Sequence, residues 1–206
     1  AEVVRGDEVV MELGPPMLRL DLPGWAAEAT ARVDRAMELK ELWKETTITA
    51  APDQAHLVAR VLAECPQLSR ATVTFVGGPQ GSPSFLAQLP SECPILGLDL
   101  GFHADLAPPP SCSEVEQCVK KFPQAQALRL RCPFPHWRGR HAKELADHLP
   151  GHIRQLHLDL SGTGCSREDA EKLAKQLTNT PTLGLFAMWV EDFRVEWGLP
   201  GQAWEI

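Results

Sequence analysis

The chain has no tyrosine, no apolar run near the length of a membrane span, no C-x-x-C pair and no excess of positive charge. Each absence excludes something. Without tyrosine, one common acid–base side chain is missing throughout. A bilayer-spanning helix needs roughly 18–20 consecutive apolar residues, so no transmembrane segment is expected. A general nucleic-acid binder needs a broad basic surface to neutralise phosphates, and a net charge of −7 with 23% charged residues argues against that class. The cysteines at 65, 93, 112, 118, 132 and 165 lack the spacing of a zinc or thioredoxin-like site. At 206 residues and 44% apolar, the chain can bury a sizeable core without disulfides. Its thiols therefore read as small buried hydrophobes.

Catalytic signatures are also missing. H-E-x-x-H, G-x-S-x-G and G-x-G-x-x-G do not occur, and the nearest glycine-rich string, Ser161-Gly162-Thr163-Gly164, has no phosphate-loop lysine. His103, His136, His141, His148, His152 and His157 invite a metal or acid–base reading. Pro150 and Gly151, however, break the helical spacing that would align His148 with His152. Glu114 and Glu116 beside Cys112 and Cys118 discourage a thiolate. No catalytic residue, metal or cofactor is expected.

What the chain does have is repetition. Apolar residues alternate from Leu18, Thr46, Ala71, Leu98, Leu128, Leu156 and Phe186, each starting a five-residue segment, with separations of 28, 25, 27, 30, 28 and 30. Alternation with period two marks a strand with one buried face. Three residues before most of them stands another apolar group: Trp43, Leu68, Ile95, Ala125, Ile153 and Leu183. Pro66, Pro94, Pro123, Pro150 and Pro181 recur just ahead, ending the preceding helix and starting the turn into the strand. The spacers predict helices over Ala26 to Leu42, Gln54 to Glu64 and Arg167 to Leu177, the last capped by Ser166 and Asp169. Gly78 to Pro90 leaves room for only a turn or two of helix.

A strand, a helix and a return in about 28 residues cannot bury its apolar face alone. Stacked units can, as a parallel sheet with helices outside. The clearest unit, Ile153 to Leu183, reads IRQLHLDLSGTGCSREDAEKLAKQLTNTPTL. It resembles the ribonuclease-inhibitor type of leucine-rich repeat, L-x-x-L-x-L-x-x-(N/C)-x-L followed by a helix. Ser161 stands where that family usually has Asn or Cys, and Cys165 fills a position usually held by Leu. The other units are more degenerate. The resemblance implies an α/β leucine-rich-repeat solenoid of about seven strand–helix repeats over residues 15–190. Its parallel sheet would form the concave face and its helices the convex face. An open doubly wound sheet is the alternative for a β/α alternation.

The ends read as caps. Residues 1–14 carry a plausible hairpin around Arg5-Gly6-Asp7-Glu8, whose first three residues also resemble the integrin-binding tripeptide. Residues 191–206 form a C-terminal cap or an aromatic, acidic partner-binding tail containing Trp197 and Trp204. The chain begins at Ala1, which suggests a processed or trimmed N-terminus, so a targeting segment could have been removed; localisation, cytoplasmic or organellar, stays open.

The expected function is a non-catalytic scaffold for protein–protein interaction. The partner-binding candidates on the outward strand positions are Arg129, Arg131, His157, Asp159 and Trp189. A second candidate cluster is the basic and aromatic loop Pro133 to His141 with Trp137, Arg138 and Arg140, forming a basic island with Arg129, Arg131, Lys143 and Arg154; the alternative is a proline-rich loop whose half-buried Trp137 packs over the following helix. Trp197 and Trp204 complete the set. The partner is another protein, within a large assembly in one version, and peripheral membrane association stays open. The second reading is a structural accessory subunit of a larger complex, and the third a histidine- or cysteine-dependent enzyme.

Overall fold

A computed structural model describes residues 2–5, 8–11, 15–22, 24–77, 84–91, 93–180, 182–191 and 193–198, with backbone alone at 2–5, 8–11 and 197. Among the described residues, ten strands form one sheet. They are β1 (Glu2–Arg5), β2 (Glu8–Met11), β3 (Met17–Asp21), β4 (Glu45–Ala50), β5 (Arg70–Phe75), β6 (Gly97–Phe102), β7 (Ala127–Arg131), β8 (Gln155–Asp159), β9 (Leu185–Val190) and β10 (Phe193–Gly198). Their spatial order is β10-β9-β8-β7-β6-β5-β4-β3-β1-β2. Eight neighbours, β9 to β3 and then β1, run parallel, and β10 and β2 close the two edges antiparallel. From β3 to β10 the strands are added in chain order, so the order has no reversal there. Open doubly wound sheets bind their ligands at such a reversal.

The connections carry α1 (Ala26–Met37), α2 (Ala55–Glu64), α3 (Cys112–Lys120), α4 (Gly139–Asp147) and α5 (Arg167–Leu177). Each helix turns one apolar stripe inward, as Leu57, Val58, Val61 and Leu62 do in α2. Ser111 with Glu114 and Ser166 with Asp169 form reciprocal caps at α3 and α5. The backbone N–H of Ser166 also donates to Asp169, and these bonds hold its carboxyl below the ordinary value. The helix predicted to reach Leu42 stops at Met37; Leu39 and Lys40 continue in i→i−3 turns, and Trp43 folds back to donate Nε1 to the Ala36 carbonyl at 3.0 Å.

The core lies between strands and helices and is built in register. One row runs Leu18, Thr46, Ala71, Leu98, Leu128, Leu156, Phe186, and the next Leu20, Ile48, Val73, Leu100, Leu130, Leu158, Met188. Burying a side chain of leucine or phenylalanine size contributes about 1.5–3 kcal/mol, which each unit gains only through its neighbours. Thr46 is the one polar member of these rows, buried with its hydroxyl unpartnered among the described residues. An unmet buried hydroxyl costs about 1–3 kcal/mol. Thr46→Val keeps the shape, and chemical denaturation should show it more stable by about 1 kcal/mol.

The glycine- and proline-rich third spacer is secured from outside itself. Its described part holds one 3₁₀ turn, Phe85–Gln88, whose Phe85 meets Phe75 edge-on at 4.7 Å. Lys121, just past α3, donates Nζ to the carbonyls of Leu86, Ala87 and Leu89 at 3.2, 2.6 and 2.9 Å. One ammonium thus meets the Ala87 and Leu89 carbonyls and shares the Leu86 carbonyl with the Leu89 N–H. Lys121→Met should lower stability by about 1.5–3 kcal/mol, the range for hydrogen bonds to a charged group. Hydrogen exchange should localise the loosening to residues 84–91.

Candidate functional site

The strands alternate, so the residues between the core rows lie on the side of the sheet opposite the helices, most of them partly exposed and Asp99, Gly101 and Ala187 buried. Two rows cross this open face: Arg19, Thr47, Thr72, Asp99, Arg129, His157, Ala187, and Asp21, Thr49, Thr74, Gly101, Arg131, Asp159, Trp189. Towards β3 to β5 the face is mostly threonine. From β6 onward it becomes charged and aromatic.

Two clusters form there. In the first, Trp189 receives a ring from one side and a cation from the other. His157 of β8 stacks on it at 4.1 Å between centroids and 24° between planes, and the Arg194 guanidinium of β10 lies 4.6 Å from the ring centre. Glu196 pairs with Arg194, and Ala187 beneath is fully buried. Burial, reinforced by Arg129, pushes His157 down from the usual 6.5 to about 4. The imidazole is therefore neutral at pH 7, which suits ring stacking beside a guanidinium. A histidine depressed in the folded state stabilises fully above its unfolded value. That stability is lost as the pH falls from 6.5 towards about 4. NMR titration should place the His157 ring well below the usual 6.5, and His157→Phe should flatten the acid side of the stability profile.

In the second cluster, Asp99 lies between Arg131, with Nε 3.8 Å from Oδ1, and Arg129, with Nη1 3.9 Å from Oδ2. Both separations exceed hydrogen-bond length, so the contacts are Coulombic. Asp99 is only 6% exposed; burial raises its pKa, and Arg131 and Arg129 oppose that rise. Arg131 reaches over β6 to donate to Thr74 Oγ1 at 3.4 Å. Gly101 permits this path, since a Cβ there would come within 3.0 Å of Arg131 Nη2.

Of the residues named from the sequence, Arg129, Arg131, His157, Asp159 and Trp189 are brought together here. Asp159 accepts from the Ser161 backbone N–H at 3.0 Å and so braces the turn after β8. Trp137 requires correction: it is fully buried, 5.6 Å from Phe134 and 6.1 Å from His141, and has no surface for a partner. The basic island does not assemble. Arg138 and Arg140 lie beyond the C-terminal end of β7, Lys143 pairs with Asp147 along α4, and Arg154 precedes β8 at the opposite end of the sheet. Arg138 also spends its Nη1 on the carbonyls of Pro135 and Trp137. Trp197 contributes backbone to β10 opposite Phe186. Trp204 lies outside the described residues, as do Gly6 and Asp7 of the integrin-like tripeptide.

Sequence reasoning missed Arg194 and Glu196. The alternation Phe193-Arg194-Val195-Glu196-Trp197 was the available signal for a strand, hidden within a stretch read as a cap or tail. β10 instead extends the sheet by one strand and adds its outward pair to the open face.

The rest of the molecule offers less converging chemistry. All six cysteines are buried as free thiols, and burial raises Cys65 and Cys112 to about 11 and Cys118 to about 12. A groove of about 700 Å³ runs along the N-terminal ends of β6 to β9, between Leu96, Gln126, Arg154 and Gly184. Among the described residues, no group of three His, Cys, Asp or Glu side chains is placed to hold a metal, and no helix is long and apolar enough to cross a membrane. No protein-family model, curated protein or solved structure matches the chain.

Proposed function

We propose that the chain is a leucine-rich-repeat solenoid of the ribonuclease-inhibitor type and that it serves as a non-catalytic scaffold, docking another protein on the open face of its sheet. The observation that carries this reading is the Arg194–Trp189–His157 stack standing beside Arg129 and Arg131. Tryptophan and arginine dominate interface hot spots, and here stacking already holds them in place. An anchor ordered before binding loses less rotamer entropy when the partner arrives. Sequential strand order and the recurrent unit support the solenoid, and the even polar threonine stretch offers a rim beside the anchors.

The test is site-specific photo-crosslinking in cells. A crosslinker at Thr72 or Asp159 on the open face should capture a defined protein, and Trp189→Ala should abolish that capture. A crosslinker at Glu171, exposed on α5, should not capture it. Capture from α5 alone, insensitive to Trp189→Ala, would overturn the open-face reading in favour of a subunit held through its helices.

A further inference from the structure

We infer that the Arg129–Arg131 pair is the seat for a single carboxylate, from an aspartate or glutamate in an acidic segment of a protein partner. This rests on the open-face reading above and specifies the chemistry the face selects.

Hydrogen-bond accounting is the first support. A guanidinium carries five N–H donors in a planar fork suited to carboxylate. Among the described residues Arg129 donates to no acceptor, and Arg131 donates only to Thr74. Among the described residues the Nε–H of each is buried and unmet, and the Nη donors, apart from the one Arg131 gives Thr74, are unspent.

Layering of charge is the second support. The one carboxylate between them, Asp99, has a side chain only 9% exposed, whereas those of Arg129 and Arg131 are 35% and 36% exposed. A partner approaching the face meets the guanidinium edges, with their counter-charge beneath. Two cations over one carboxylate leave the triad one positive charge, which a monoanionic carboxylate neutralises. A phosphate dianion overshoots that charge. A nucleic-acid strand would meet a chain of net charge −7. The neighbouring Trp189, already stacked, offers an apolar edge for the residue flanking the acid.

The experiment uses the full chain. Twelve-residue peptides are selected on it from a random displayed library, then resynthesised in three forms: with the acid, with its amide, and with phosphoserine in its place. Dissociation constants are measured against the native chain, Arg129→Gln, Asp99→Asn and Trp189→Ala. The inference expects selected peptides to share one Asp or Glu, whose amide form binds at least tenfold more weakly to the native chain. Arg129→Gln should lose a similar factor for the acid form and little for the amide. Asp99→Asn, which raises the positive charge while keeping both arginines, should bind the acid form several-fold more tightly; a purely structural Arg–Asp–Arg triad would not produce that gain. Tighter binding of phosphoserine than of the acid would overturn the carboxylate assignment in favour of phosphate. If peptides lose binding on Trp189→Ala but show no acid dependence, the carboxylate seat fails and the open-face reading stands. If no selected peptide responds to any of these substitutions, both fail.

Discussion

Replacing Trp137 by alanine is expected to lower the unfolding free energy by about 3–5 kcal/mol, the usual cost of truncating a fully buried tryptophan. Its ring has no exposed area and closes a chain of aromatic contacts. Phe85 meets Phe75, Phe75 meets Phe102 at 6.3 Å, Phe102 meets Phe134 at 5.5 Å, and Phe134 meets Trp137. These rings come from successive units, so their removal uncouples neighbours that depend on one another for burial. Trp137→Phe is a sharper companion. The indole Nε1 is buried without a partner among the described residues, so phenylalanine removes an unmet donor while losing volume. The two effects oppose, and the loss should stay below about 2 kcal/mol. Urea denaturation of both variants checks the pair; equal losses would mean that the indole hydrogen is satisfied in solution.

The second large effect concerns Asp99. Removing both arginines, as Arg129→Met with Arg131→Met, strands a buried carboxylate and should cost about 3 kcal/mol at neutral pH. The loss should shrink in acid as Asp99 takes up a proton. Asp99→Asn behaves differently, since it removes the buried charge itself. Burial holds the native carboxyl above its ordinary 3.8, so the folded state keeps this proton more tightly than the unfolded chain does. A raised carboxyl favours folding at low pH and loses that advantage as the pH climbs through its folded value. The native protein, compared with Asp99→Asn, should therefore lose stability as the pH rises from 3.8 upward. Paired denaturation curves across that range give the sign directly, and a difference independent of pH would show Asp99 to be unshifted.

Much of this architecture was legible in the chain. Alternation located all seven strands from β3 to β9 within a residue or so, because a half-buried strand leaves a period-two record that few other structures imitate. The stripe Ala170, Leu173, Ala174, Leu177 and the Ser166 cap placed α5 at its observed bounds. The outward positions followed from the same alternation, so Arg129, Arg131, His157 and Trp189 could be assigned to one face before any coordinates.

Burial of the loop after β7 was harder to read. Pro133 to His141 looks polar and basic in sequence, yet Phe134 and Trp137 turn inward while Gly139 to His141 begin α4. Composition reports which residues a loop contains and says nothing of which way each points, because no period governs a loop. Arg194 was missed for another reason: a single edge strand at the end of a repeat has no successor to confirm its spacing.

The sequence by itself determined the repeat length, the strand positions and the identity of the residues on each face, since these follow from local periodicity and turn chemistry. Only the tertiary structure decided that Asp99 lies buried between two arginines, that Trp189 is held between His157 and Arg194, and that Lys121 caps a spacer more than thirty residues away. Those contacts join residues from different units. Their geometry depends on the register and side-chain reach of neighbouring strands, which no single repeat encodes.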